Sequence, residues 1–407
     1  MSKSFTRRTL LILLLLILFG LTFCDKTQPN NTATIDDQAI TQLLEKANQT
    51  FQSGEYKNAL NLVESLQSVS SDNPDIYFLK GLIFNNLNRL DDASTAYEKT
   101  LQLDPEYEGV RFNLGNIAMS RGNFEQAIEL YRQEHARHPA PNTLVNMGLA
   151  FANLHQPDSS MAAYERAITL DSSFADAFVL LGQEYKNAGD PERAIELTRQ
   201  GLALAPDNAT YLSILGGFLL QNGQPEEALP YLEKSAAIRP WGYRPVYNLG
   251  LALERVGQQS KSQRYLAKAD TLRQLQSQVA HLQMQVQNNP RDFMRWVELG
   301  EILREMGNYR ASRDALRSAS LLQPSQLALQ NNIAYLSLAL GDTTEAIDIF
   351  QSIVREDSAQ TDVWFNLGVV LTETGREAAA RKAWQQVLQQ TPNDTIAQKY
   401  LRSLSEL

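Results

Sequence analysis

The sequence predicts an all-α solenoid of about ten helix–turn–helix repeats, on three observations. Small residues recur about every 34 positions, turn residues follow them at a fixed offset, and apolar side chains between them keep helical spacing. The small residues are Ala47, Gly81, Gly115, Gly148, Gly182, Gly216, Gly250, Gly300, Ala334 and Gly368. Successive gaps are 34 residues, apart from one of 33 and one of 50.

The turn series lies seven positions later: Gly54, Asn88, Gly122, His155, Gly189, Gly223, Gly257, Gly307, Gly341 and Gly375. Glycine there takes the left-handed backbone that ends a helix. His155 fits the same geometry, because histidine is enriched among non-glycine residues with positive φ. Twelve positions after the first series come Ala59, Ala93, Ala127, Ala194, Ala228, Ala346 and Ala380, with Ser160, Ser262 and Ser312 as departures. Pro105, Pro139, Pro206, Pro240, Pro324 and Pro392 close most units, where a missing N–H stops a helix or opens the next one. Leu144, Met147 and Phe151 form an i, i+3, i+7 stripe that Tyr164 completes from the next helix; Trp364, Leu367, Leu371 and Trp384 repeat the pattern.

This pattern closely resembles the tetratricopeptide repeat (TPR), which has small residues at positions 8, 20 and 27 and large ones at 4, 7, 11 and 24. The resemblance implies a right-handed TPR superhelix in which helix A of each repeat lines the concave side. Repeats 1–7 are expected over residues 39–272 and repeats 8–10 over 290–393. A capping helix at 394–407 would carry Ile396, Tyr400, Leu401 and Leu404 on one side. The gap of 50 residues falls in a run, Ser260 to Asn289, with neither Gly nor Pro. It reads as helix B of repeat 7 extended over 273–289. Leu272, Leu275, Val279, Leu282 and Val286 alternate three and four apart, the spacing of a coiled-coil seam. The seam either docks on the next repeat or gives weak self-association with a second copy.

The resemblance places positions 2, 5, 6, 9, 12 and 13 of helix A within reach of a ligand. Asparagine recurs at position 6: Asn113, Asn146, Asn248, Asn332 and Asn366. In similar family members this amide bonds the backbone of an extended peptide, and its paired donor and acceptor suit a main chain. Asn116, Asn153, Gln183 and Asn187 extend the same candidate peptide-binding surface, unless these amides bridge adjacent helices. The family's carboxylate clamp needs lysine at position 5. Here Phe78, Phe112, Val145, Val179, Ser213, Tyr247, Val297 and Phe365 occupy it, so a clamp of that kind is not expected.

Residues 1–24 read as an exported leader: three cations in the first eight residues, then an apolar run from Leu10 through Phe23. Thr6-Arg7-Arg8-Thr9-Leu10-Leu11 also resembles a twin-arginine signal, though so leucine-rich a run favours ordinary secretion. Leu21-Thr22-Phe23-Cys24 resembles a bacterial lipobox, which implies lipidation at Cys24; Phe23 departs from the small residue found there in the family. The membrane would be reached through that lipid or through an uncleaved anchor. Residues 25–38 read as a flexible tether. Cys24 is the only cysteine, so no intrachain disulfide and no cysteine metal site can form.

The formal charge is −9; without Lys3, Arg7 and Arg8, 34 basic residues face 46 acidic ones. Such a chain repels phosphate backbones, and no nucleic acid is expected as partner. His135 and His138 have the spacing of a metal pair, but no third ligand is near them in sequence, so no metal is expected. No phosphate loop, nucleophile elbow or Cys-x-x-Cys occurs, and no cofactor or catalytic residue is expected. The leading expectation is a non-catalytic protein-interaction scaffold on the periplasmic or surface side of a bacterial envelope. A substrate-recruiting subunit of a larger enzyme or assembly machine and a self-assembling structural protein stand beside it.

Overall fold

The computed structural model describes residues 37–404; the leader, Cys24 and nearly all of the tether lie outside them. The described residues form helices joined by short turns, in two compact units. The first unit, ending at Tyr107, holds α1 (Asp37–Gln52), α2 (Tyr56–Val69), α3 (Pro74–Asn86) and α4 (Leu90–Leu103). Its core joins Ala47, Ala59, Val63, Leu66, Ile76 and Ile83.

The second unit, from Glu108, opens with α5 (Val110–Ser120), α6 (Phe124–Arg137), α7 (Pro141–Asn153) and α8 (Pro157–Leu170). Then come α9 (Ala175–Asn187), α10 (Pro191–Leu204), α11 (Ala209–Gln221), α12 (Pro225–Ile238), α13 (Tyr243–Arg255) and α14 (Gln259–Asn288). It closes with α15 (Phe293–Glu305), α16 (Tyr309–Leu322), α17 (Leu327–Ala339), α18 (Thr343–Glu356), α19 (Thr361–Glu373), α20 (Glu377–Gln390) and α21 (Thr395–Ser403). Odd-numbered helices up to α19 are helix A of a repeat and even-numbered ones helix B. Within each unit every helix packs mainly on its sequence neighbours, the one-dimensional contact pattern of a solenoid.

Each recurrent residue type has a local cause. The turn glycines carry φ between +69° and +86°, and His155 and Asn88 stand in the same region at +57° and +56°. The alanines of the third series are all fully buried. Where serine replaces alanine it is also buried; Ser312 donates to the Gly300 carbonyl across the hairpin at 2.6 Å. Gly115 lies so close to the next helix that a Cβ there would stand 2.5 Å from the buried Tyr131 ring. Proline opens α3, α7, α8, α10 and α12, where its fixed φ costs nothing.

One recurrent device has no counterpart in the sequence reading. The side chain at position 4 of helix A donates to a carbonyl six residues back, in the loop that enters the helix. Trp296 bonds Pro290, Trp364 bonds Ser358, and Gln398 of the last helix bonds Pro392, at 2.9, 3.0 and 3.0 Å.

The 50-residue gap is one unbroken 30-residue helix, α14. All five seam residues are buried. Leu272 joins the core of α11 to α13, and Val279, Leu282 and Val286 pack with Leu299 and Leu303 of α15. The seam is thus covered by its own chain. At the C-terminus Tyr400 of α21 stacks on Trp384 with ring centroids 4.8 Å apart, and Ala397 and Leu404 are buried. Ile396, expected on that side, is instead 48% exposed. It adjoins the buried Ala397, and one step along a helix turns a side chain by about 100°.

Candidate functional site

The A helices of the second unit carry a groove of about 850 Å³ that crosses α9, α11 and α13. Amides face it from each side: Gln183 and Asn187 on α9, Gln221 on α11 and Asn248 on α13. Apolar contact comes from Ile214, Phe218 and a stacked pair, Tyr243 and Tyr247, with ring centroids 5.5 Å apart. Helical spacing aligns the tyrosines, which sit four residues apart on α13. Asn248 also packs on Gly217 of the preceding A helix, where a Cβ would come within 3.2 Å of its Nδ2. Tyr211 of α11 donates to Asp176 of α9, fixing these two A helices side by side. Burial and that carboxylate push the Tyr211 phenol well above its usual range.

The other expected site residues divide into three groups. Asn146 and Asn366 reach the A helix before their own. Asn146 donates to Asn116 Oδ1 at 2.9 Å, and the same oxygen accepts from Tyr131 at 2.7 Å. Asn366 donates to the hydroxyl of Tyr335. With Asn248 on Gly217, three position-6 asparagines meet position 9 of the preceding repeat. These amides therefore set the spacing of adjacent A helices as well as facing outward. Asn113 and Asn153 bond carbonyls four residues back, that of Gly109, which caps α5, at 2.7 Å and that of Leu149 at 2.8 Å. Asn332 is exposed in a second groove of about 870 Å³ with Tyr335, Tyr309, Glu301, Arg304 and Glu305.

Position 5 corrects the expectation drawn from the resemblance. Val145 and Val179 are buried and cannot touch a ligand. Phe112 and Phe365 pack on the rings of Tyr131 and Trp384, at 5.8 and 5.1 Å between centroids. Ser213 and Tyr247, whose repeats carry Leu232 and Leu266 against the position-8 glycine, line the groove. Sequence reasoning also missed Tyr243, Phe218 and Gln276. The first lies ahead of the expected contact positions, and the last belongs to the extension of α14.

His135 lies partly buried in the last turn of α6, and His138 caps that helix. Burial and the nearby Arg166 charge lower the His135 pKa, against a backbone hydrogen bond with Ala140. No group of three metal-ligating side chains occurs among the described residues, and no described helix is long and apolar enough to cross a membrane.

Family models described as tetratricopeptide repeats match residues 44–108 and 179–242, 87–143, and 141–174. The model described as the TPR domain of cytochrome c-type biogenesis protein H matches residues 252–397. The Protein CTR9 homolog of Arabidopsis thaliana is 22% identical over 130 residues, 31% of this chain and 12% of that protein. The chain thus matches only a small part of that relative. Similar solved structures include MamA, at 24% identity over 40% of this chain and 96% of that one, with a TM-score of 0.37. PilW, titled a widely conserved type IV pilus biogenesis factor, is 18% identical over 52% of this chain and 98% of that one, at 0.47. YrrB, titled a TPR protein with an unusual peptide-binding site, is 18% identical over 46% and 96%, at 0.37.

Proposed function

Because the chain belongs to the tetratricopeptide-repeat family, we propose that it is a non-catalytic scaffold whose A helices hold extended segments of partner proteins. The observation that carries this reading is the groove across α9, α11 and α13. It joins amides able to pair with a main chain to a stacked tyrosine pair able to cover apolar side chains. An extended peptide leaves every second N–H and C=O facing one way, which is the pattern a row of amide side chains can meet. Asn187, Gln183 and Asn248 contribute most to this, while Asn116, Asn146 and Asn366 contribute mainly by holding the helices in register.

The partners are proteins, and the work is the assembly of other proteins outside the cytoplasm. Two features support that: the leader-like residues 1–24 with Cys24, and the match of residues 252–397 to a TPR domain named for a biogenesis protein. The buried seam of α14 supports docking within the chain over self-association.

The test is a crosslinked pull-down from native membranes, with the intact chain against a Gln183→Ala, Asn187→Ala, Asn248→Ala variant. Partners that disappear in the variant, at unchanged helicity, support recognition in this groove. Partners retained at full yield place recognition elsewhere and refute the reading.

A further inference from the structure

The groove across α9, α11 and α13 differs from the rest of the molecule in charge. Lys186, Arg239 and Arg244 line it, and neither aspartate nor glutamate does. The whole chain carries 46 acidic residues against 37 basic ones, so this is a local inversion of sign. All three cations are exposed, and among the described residues none forms an ion pair with a carboxylate. Arg239 donates only to the Thr210 hydroxyl, at 3.1 Å. Two other arginines of these repeats are paired, Arg193 with Glu196 and Arg199 with Glu227, while Arg255 donates to the Leu220 carbonyl. The second groove, around Asn332, has the opposite character, with Glu301 and Glu305 beside a single arginine.

The cations come from three different structural contexts. Lys186 lies in the last turn of α9, Arg239 caps the end of α12, and Arg244 lies in the first turn of α13. None stands at position 5; Lys186 stands at position 12 and Arg244 at position 2 of their A helices. Gln276 borders the same groove from the extension of α14, a segment that a repeat of ordinary length lacks. The surplus residues thus add a wall to the groove, and that wall brings an amide and no charge.

We propose that this groove, bordered by α14, selects an extended polypeptide stretch that carries several carboxylates. The inference rests on the peptide-binding reading above and names the chemistry of its ligand. Three unpaired cations around a groove attract an anionic segment, and the absence of lining carboxylates removes the repulsion it would meet elsewhere on this surface. The amides between the cations favour a polypeptide main chain over a nucleic acid.

The experiment is fluorescence anisotropy on the purified full chain with three labelled twelve-residue peptides of one Gly/Ser/Ala framework. They carry Glu, Gln or Lys at the same four positions; a labelled oligothymidylate is the fourth probe. The Glu peptide is expected to bind roughly ten-fold tighter than the Gln peptide at low salt, since each exposed ion pair is worth a factor of a few. The advantage shrinks as salt screens the charges. A Lys186→Gln, Arg239→Gln, Arg244→Gln variant abolishes the preference, and the corresponding Glu variant shifts it to the Lys peptide. Circular dichroism of both variants establishes that the helices remain. Equal binding of Glu and Gln peptides, lost with Asn187→Ala and Asn248→Ala, overturns the charge inference while peptide binding stands. No binding of any peptide overturns both, and tighter binding of oligothymidylate than of the Glu peptide overturns the choice of polypeptide.

Discussion

At the scale of single residues, the repeats depend on close approach, backbone sign and amide placement. Gly115→Ala forces a methyl into the buried Tyr131 ring and should cost about 1–3 kcal/mol, read as a lower melting temperature. His155 holds a left-handed φ of +57°, so His155→Gly should relieve strain and raise stability by up to about 1 kcal/mol. Both positions were legible in the sequence, because a close approach and a left-handed turn each admit few residue types. The outward residues were less legible. Val145 and Phe112 share position 5, yet one is buried and the other packs on a tyrosine. Tyrosine stands at position 24 in both repeats, Tyr164 and Tyr131, so the difference comes from how successive repeats pack, which no single helix records. The pairing of Asn146 with Asn116 was open for the same reason, since it joins residues 30 apart whose distance depends on inter-repeat packing.

At the scale of elements, α14 is the feature that departs from the family pattern. A run with no helix breaker made its length legible, and the 3-4-3-4 spacing gave its buried face. What covers that face was not legible, because a seam suits a second copy and a neighbouring helix equally. The answer is α15. Val279→Asp should therefore destabilise the fold by about 2–4 kcal/mol, read by denaturant unfolding, and leave the molecular mass by light scattering unchanged. A drop to half the mass would mean that the seam holds two copies together. A second element-level device links α16, α17 and α18. Burial raises the Glu345 pKa, but hydrogen bonds from Ser337 and Arg317 and the charges of Arg317 and Arg313 outweigh it, leaving it below the ordinary 4.5. A carboxylate with a depressed folded pKa adds stability above its unfolded value and loses it as pH falls through the folded one. Stability of this region should therefore decline below about pH 4.5, and Glu345→Gln should flatten that decline in a melting-temperature series across pH 3–6.

At the scale of the whole molecule, the chain is an all-α repeat protein with an acidic balance and a groove of opposite sign. A solenoid of this kind exposes helix faces that a globular domain would bury, which makes large binding surfaces available without a catalytic cavity. The proposed function puts partners along α9, α11 and α13. The most direct measurement is site-specific photocrosslinking in native membranes. A benzophenone side chain would replace Tyr247 or Phe218 in the groove, or the exposed Glu233 on helix B as control. Crosslinks to protein partners are expected from Tyr247 and Phe218, mapping by mass spectrometry to extended acidic stretches, and none from Glu233. Crosslinks from Glu233 with none from the groove positions would contradict the proposed function.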